Sequence, residues 1–296
     1  MSFPTGWIDR PEAVEHVLST LPRPLFAEAA GWIAGTGEGQ TALLYRAVHE
    51  VAGAYVADPS QAIGCCVGRG FASAVDHLAC VEIAIGKENE AFVRTSHEAI
   101  YGLSREIGDF LAPVGRDGSV GAWAAKAVSQ YGTVGRDVVG AYSDQRAGEW
   151  GHRGVPKAIK DVLGKHKVRT ASLVKTWEEG RDAIANGYPV AVCSNVGFEP
   201  MRRDAQGFCK PGGQWSHCMC FVGLRADRPG LLCMNSWGMT VPTGPLVMDQ
   251  PGNTFWVDAM VVDRMLKQGD SWALSSFDGY PGKRLPSRGS WLDLAA

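Results

Sequence analysis

The chain has 296 residues, 45% of them hydrophobic, so it is long enough to bury a large core as one domain or as two lobes. Its formal net charge is −2 and its pI is about 6.4, so it lacks the basic surface that nucleic-acid binding requires. The sequence contains no apolar run of the ~18 residues that a membrane span needs and does not begin with a secretory signal. We expect a cytosolic protein, free or packaged in a particle made in the cytosol, with no nucleic-acid and no membrane partner.

The eight cysteines do not indicate a disulfide framework. An even number of cysteines suggests disulfides in a secreted protein, and the N-terminus does not support secretion. Several cysteines lie within apolar runs, as Cys80 and Cys193 do, and a buried free cysteine behaves as a small hydrophobic residue. We therefore expect most of the eight to be reduced, structural thiols.

The first part of the chain has helical periodicity. Helices are predicted in seven stretches, at residues 11–18 (with Pro11 at the first helical position), 40–55, 67–85, 96–110 (with Ser96 as the N-cap), 121–131, 156–164 and 173–186. Beyond residue 187, short apolar runs between Gly, Pro and Asp turns predict strands at residues 188–194, 218–223, 230–235 and 254–257.

Helices followed by strands predict an α+β protein with two lobes. The predicted organisation has four segments: an N-terminal helical extension or cap at residues 1–57, a helical lobe at 58–186, a β-rich lobe at 187–278 and a C-terminal coil tail at 279–296.

Cys66 is the predicted nucleophile. It lies where an irregular loop meets the predicted helix 67–85, and the positive end of a helix dipole lowers the pKa of a thiol and favours the reactive thiolate. Cys65 lies one residue earlier, so its side chain is expected to point elsewhere. The alternative is that this Cys-Cys pair only fills core space.

His217 and Asn235 are the predicted partners of this thiol. His217 lies between a Gly-rich loop and an apolar strand, which leaves its ring able to face a cleft. Asn235 ends the next predicted strand, and its amide oxygen is suited to fix the tautomer and orientation of a histidine base. Trp237 is placed to shield that hydrogen bond from water. The alternatives are a structural histidine and a simple turn.

Gln61 completes the set. It lies in the loop before Cys66, where its side-chain amide and the Cys66 N–H are suited to stabilise an oxyanion. The combination resembles the papain-like cysteine peptidases, and their bacterial and phage-borne members in particular. The resemblance rests on the order of four residues and on the Asn-Ser-Trp-Gly sequence that begins at the last of them: Gln61, Cys66, His217 and Asn235.

The resemblance implies a papain-like α+β fold with an active cleft between a helical lobe and an antiparallel β-rich lobe. It also implies a cysteine-type peptidase that acts on protein or peptide substrates through an acyl-enzyme at Cys66 and needs no cofactor. The residue after the nucleophile is Val67, where the family usually has Trp, which leaves the substrate preference open.

Three alternatives remain open at this stage. The first is a catalytically silent papain-fold binding or structural protein, such as a component of a phage particle that contacts other virion proteins. The second is a transglutaminase-like acyl transferase that uses the same residues. The third is a zinc site, for which the spacing of the available ligands is unfavourable: Cys65, Cys66, His217, Cys218 and Cys220.

Overall fold

The computed structural model describes residues 3–55, 59–86, 91–111, 117–166 and 168–283, together with residues 285 and 291. The helices of this part are α1 Pro11–Leu18, α2 Phe26–Ala29, α3 Tyr45–Ala52, α4 Cys66–Ala84, α5 His97–Ile107, α6 Gly121–Lys126, α7 Arg136–Val139, α8 Asp144–Arg153, α9 Lys157–Lys160, α10 Trp177–Ala185 and α11 Ala259–Leu266. Its strands are β1 Ala42–Leu43, β2 Leu163–His166, β3 Thr170–Leu173, β4 Val190–Val196, β5 Gln214–Arg225, β6 Gly230–Met234, β7 Thr254–Asp258 and β8 Trp272–Ser275.

One antiparallel sheet organises the described part of the chain. Its strands follow the order β3-β8-β4-β5-β6-β7, and β1 pairs with β5 outside this path. Nearly every residue of β5 is buried, so both faces of the sheet are covered there, and α4 and α10 both pack against this strand. The α+β architecture predicted from the sequence is confirmed.

Helix α4 is the central helix. Apolar residues on several faces are buried, and its predicted extent of 67–85 agrees with the observed helix Cys66–Ala84. Two of its glycines allow close packing: a Cβ on Gly70 would lie 2.7 Å from Sγ of Cys218, and one on Gly68 would lie 2.6 Å from the carbonyl O of His97. Small residues therefore let α4 lie directly against β5 and α5.

Most other predicted helices are present with different bounds. Helix α5 is capped by Ser96 as predicted, since its Oγ accepts the N–H of Ala99 at 3.3 Å. The helices predicted at 156–164 and 173–186 are shorter: β2 takes up the end of the first stretch, and α10 begins only at Trp177, after its N-cap Thr176. The stretch 121–131 continues from α6 into a π-helical turn at Ala127–Tyr131.

The helix predicted at 40–55 is wrong at its start, where the chain forms β1. Strand β5 is longer than its neighbour β4, whose pairing begins with Val190 opposite Phe221. The edge of β5 beyond Phe221 is therefore open, and β1 occupies it through Leu43 opposite Gly223. A long strand needs partners for its backbone groups, and this requirement overrides local helix periodicity.

Described residues of the C-terminal tail pack on the core. Tyr280, Leu285 and Trp291 are buried. Lys283 forms a buried ion pair with Glu82 of α4, and burial lowers the pKa of Lys283 to about 8 against the opposing effect of that carboxylate. No helix in the described ranges is both long and apolar enough to cross a bilayer.

Candidate active site

Cys66 is the first residue of α4, and its side chain is fully buried. Its Sγ accepts a hydrogen bond from the backbone N–H of Cys218 in β5, with 3.4 Å between the two atoms. Because Cys218 directly follows His217, folding brings the predicted nucleophile against the strand that carries the predicted base. Among the described residues, Cys66 Sγ and the His217 ring are not joined by a hydrogen bond.

Asn235 holds one side of the His217 ring. It follows the last residue of β6, and its Oδ1 lies 2.9 Å from Nε2 of His217. The same Oδ1 also accepts the backbone N–H of Ser236 at 2.7 Å. A backbone N–H can only donate, so this contact identifies the atom as the amide oxygen and makes Nε2 of His217 the donor.

The tautomer of His217 follows from this contact. With its proton on Nε2, the neutral ring keeps a lone pair on Nδ1, and that nitrogen is buried with no hydrogen-bond partner in the described part of the chain. Burial lowers the pKa of His217 to about 4; the bond to Asn235 opposes this shift and the charge of Arg69 adds to it. The ring is a neutral base with a free acceptor atom.

Trp237 covers the ring of His217. The two rings are stacked, with centroids 4.4 Å apart and an interplanar angle of 20°. Trp215 meets Trp237 edge-on with centroids 4.7 Å apart, and both tryptophans are largely buried. The hydrogen bond between His217 and Asn235 is therefore kept in an apolar environment, where it is stronger than in water.

Gln61 is fixed by Ser236, the second residue of the Asn-Ser-Trp-Gly sequence. The Oγ of Ser236 donates to Oε1 of Gln61 at 2.6 Å, and the N–H of Gln61 donates to the carbonyl O of Ser236 at 3.1 Å. Ser236 thereby connects the loop before Cys66 to the loop that carries Asn235. This role explains the serine in the motif.

The side-chain nitrogen of Gln61 already donates two hydrogen bonds in this structure. Its Nε2 donates to the carbonyl O atoms of Pro4 and Ile63, each at 3.1 Å. The carbonyl of Pro4 also accepts Nε1–H of Trp237 at 2.9 Å. The carbonyl O of Pro4, near the N-terminus, thus accepts a hydrogen bond from the Gln61 amide that the sequence predicts as an oxyanion donor.

Residues 3–8, here called the N-terminal strap, pair with both walls of the site. Gly6 and Trp7 both donate their backbone N–H to the carbonyl O of Ser216, at 2.9 and 2.8 Å. On the opposite wall, the N–H of Ser119 donates to the carbonyl O of Gly6 at 2.8 Å. The strap runs parallel to the chain at Ser119.

Gly6 lies directly over Cys66. A Cβ at this position would lie 2.0 Å from the carbonyl O of Gly64, so only glycine lets the strap pass this deeply. Burial raises the pKa of the Cys66 thiol well above its ordinary value, and the backbone N–H groups of Cys218 and Gly6 oppose this shift. In the closed site, burial therefore favours the neutral thiol of Cys66 and not the thiolate that the sequence predicts.

Trp7 anchors the strap to Asp270. Its Nε1–H donates to Oδ2 of Asp270 at 2.8 Å, and the N–H of Gly121 donates to the same oxygen at 2.7 Å. The other carboxylate oxygen accepts Nε1–H of Trp272 at 2.8 Å. Burial raises the pKa of Asp270 to about 6, against the opposing effect of these hydrogen bonds.

Cys65 points away from the site. Its Sγ lies 3.3 Å from the hydroxyl of Tyr142, and burial raises the pKa of its thiol.

All eight cysteines are buried and free. The described residues include no group of three or more His, Cys, Asp or Glu side chains placed to hold a metal ion, so the five candidate zinc ligands of the sequence do not form one.

Sequence reasoning missed the strap, Ser216 and Asp270. The signal available for the strap was two aromatic residues around a glycine, Phe3 and Trp7 with Gly6, in a stretch without helix or strand periodicity. Phe3 stacks on Trp237 with centroids 4.6 Å apart. Such a short aperiodic segment shows its role only through what it contacts.

The chain shares its fold with solved cysteine proteases. No family model matches it, and no curated protein matches it. Xylellain, a cysteine protease from Xylella fastidiosa, superposes with a TM-score of 0.58 at 14% identity, covering 93% of this chain and 92% of that one. Procathepsin B S9 from Trypanosoma congolense gives 0.58 at 11% identity, covering 93% and 87%. The ragweed pollen allergen Amb a 11, a cysteine protease in its proform, gives 0.56 at 16% identity, covering 88% and 72%.

These identities are low, so the likeness shows the fold. The papain-like fold implied by the resemblance is confirmed, and the structures that share it are cysteine proteases.

Proposed function

We propose that the protein is a cysteine-type peptidase with Cys66 as nucleophile, His217 as base and acid, Asn235 as the orienting residue and Gln61 as an oxyanion donor. The observation that carries the proposal is the state of His217. Its Nε2 is tied to Asn235, its Nδ1 is free, and the Cys66 sulfur contacts the next residue of the strand. A positioned base beside a buried thiol is what nucleophilic catalysis requires.

In this mechanism, Nδ1 of His217 takes the Sγ proton while the sulfur attacks the substrate carbonyl carbon. The tetrahedral oxyanion is stabilised by Nε2–H of Gln61 and the N–H of Cys66. When the carbon–nitrogen bond breaks, the imidazolium returns its proton to the leaving amine, which leaves a thioester on Cys66. Water, deprotonated by Nδ1, then hydrolyses the thioester and restores the thiol.

The strap closes this site in the resting protein. Its Pro4 carbonyl occupies Nε2 of Gln61, and its Gly6 covers Cys66. Because the leaving amine is protonated by His217, the leaving chain lies at the end of the groove beside Trp237, and the acyl chain lies at the Ser119 end. A substrate therefore runs from Ser119 toward Trp237.

The strap runs the opposite way. Its residue Pro4 contacts Trp237, and the later residue Ile8 donates its N–H to the carbonyl O of Ser119 at 2.9 Å. A reversed chain presents its peptide groups in the wrong direction for attack, so it blocks the site without being cleaved. Two of the three solved structures compared above are proforms.

The test uses full-length protein with the substitution Gly6→Ala, which the closed strap has no room to accommodate. We expect this variant to hydrolyse a mixture of internally quenched peptides and to be captured by an epoxide probe at Cys66 alone. Adding His217→Ala is expected to abolish both. Slow and equal labelling of all thiols, with no hydrolysis, would refute the proposal.

One observation favours the catalytically silent alternative: Cys66 is fully buried, and burial raises its pKa. In that alternative the strap is a permanent part of the core, and lifting it produces neither labelling nor turnover. The same experiment therefore separates the two functions. The four sequence segments and a location in the cytosol or in a phage particle remain predictions from the sequence.

A further inference from the structure

A pocket of about 1030 Å³ opens beside the tryptophans that cover His217. One of its walls is the strap. The other is built from β5, the end of β4, the loop between these strands and the loop after β6, and it includes Asn195, Glu199, Met201, Trp215 and Trp237. When the strap leaves, this second wall remains and faces the groove.

The pocket lies on the leaving-group side of the proposed reaction. His217 delivers a proton to the departing nitrogen, so the residues after the scissile bond leave past the tryptophan stacked on its ring. Trp237 and Trp215 line both that path and the pocket. A side chain that follows the scissile bond therefore enters this space.

The chemistry of the pocket favours a cation. Glu199 and Asp9 are its charged lining residues, and none of the described lining residues is Lys or Arg. Oε1 of Glu199 accepts Nε1–H of Trp215 at 3.3 Å, which fixes the carboxylate beside an aromatic ring while the residue stays exposed. Because Asp9 directly follows the strap, Glu199 is the acidic group that remains after the strap has left.

We propose that Glu199 makes this enzyme prefer a Lys or Arg side chain one or two residues after the scissile bond. The inference rests on the proposed function. The carboxylate pairs with the cationic group, and the faces of Trp215 and Trp237 contact its aliphatic stem and its charge. An exposed ion pair and a cation–π contact together correspond to about a tenfold preference over an uncharged residue.

The experiment uses the full-length Gly6→Ala protein and quenched peptides that differ only at the first or second residue after the scissile bond, which is Lys, Gln or Glu. We expect kcat/KM to fall in the order Lys, Gln, Glu, with the difference mainly in KM. Glu199→Gln is expected to equalise the Lys and Gln peptides, and Glu199→Lys to favour the Glu peptide. Glu28→Gln, which removes another carboxylate away from this pocket, is expected to keep the Lys preference.

A binding measurement separates this inference from the proposed function. The same peptides are titrated against the Gly6→Ala protein that also carries Cys66→Ser, with tryptophan fluorescence as the readout. Tighter binding of the Lys peptide that depends on Glu199, without hydrolysis by the thiol form, supports the pocket and refutes the peptidase. Hydrolysis with equal kcat/KM for Lys and Gln peptides, or a Lys preference that survives Glu199→Gln, overturns the inference. Failure of both binding and hydrolysis overturns both.

Discussion

The substitution Gly6→Ala tests whether the strap controls access to Cys66. The added Cβ would lie 2.0 Å from the carbonyl O of Gly64 and 2.5 Å from its carbon, and both are backbone atoms that cannot turn aside. The strap must therefore lift locally. Lifting breaks the backbone bonds that Gly6 makes with Ser216 and Ser119.

The magnitude follows from those contacts. Each backbone hydrogen bond contributes about 1 kcal/mol net, and losing two or three of them shifts the closed–open equilibrium by about 2–3 kcal/mol. Since 1.4 kcal/mol is a factor of ten, the open fraction is expected to increase by about 30- to 100-fold. The rate at which a thiol reagent modifies Cys66 increases in proportion, because only the open form reacts.

The assay is alkylation by iodoacetamide under native conditions, followed by mass spectrometry of the peptide that contains Cys66. The matched control is Gly31→Ala, because a Cβ there meets no atom within 4 Å and the added methyl group is the same. The other buried cysteines report general loosening of the fold. If Cys66 reacts no faster in Gly6→Ala than in Gly31→Ala, the strap does not close the site.

Three further predictions concern residues of the site and its anchor. In the Gly6→Ala protein, Cys66→Ser is expected to abolish peptide hydrolysis, whereas Cys65→Ser keeps most of it, because the Cys65 sulfur points toward Tyr142. Asn235→Ala is expected to lower kcat about 100-fold, at the low end of what a positioned acid–base catalyst contributes, because the imidazole loses the partner that fixes its tautomer. Asp270→Asn is expected to remove a pH dependence of stability: burial raises the pKa of Asp270 to about 6, so its contribution to stability is present below about pH 4 and lost as the pH rises through about 6. Relative to that variant, the unfolding free energy of the wild type is expected to fall by roughly 3 kcal/mol between pH 4 and pH 7.

A different result would contradict each of these three predictions. Reversed effects of the two cysteine substitutions would assign the nucleophile to Cys65. An unchanged kcat in Asn235→Ala, measured at saturating peptide, would remove the orienting role. For Asp270, urea unfolding of both proteins at several pH values isolates the titration, since other groups cancel in the difference. A difference that is constant with pH contradicts the raised pKa.

Particular residues show which parts of the site are readable from a sequence. The chemistry of the Cys66 and His217 side chains is evident from residue type alone. Their positions, at the start of a helix and on an apolar strand, are local features that the sequence pattern also shows. The role of Ser236 is different: it supports Asn235 through its N–H and Gln61 through its hydroxyl, and these partners lie far apart in the chain. Hydrogen bonds between distant segments leave no periodic pattern.

The helix predicted at 40–55 also starts at the wrong residue because of a contact between distant segments of the chain. The stretch has helical periodicity, and its second half is α3, but the backbone at Leu43 pairs with β5 because the edge of that strand is open there. Local preference is a matter of tenths of a kcal/mol per residue, and buried backbone groups of a long strand without partners cost more.

The sequence by itself determined which reactive side chains are available, the order of Gln61, Cys66, His217 and Asn235, and the α+β class, because side-chain type and apolar periodicity are local properties. Only the tertiary structure decided that the N-terminus covers the thiol, that burial raises the pKa of Cys66 and lowers that of His217, and that the imidazole proton lies on Nε2. Desolvation and hydrogen bonding depend on which segments meet in space, and those contacts join residues as distant as Trp7 and Asp270.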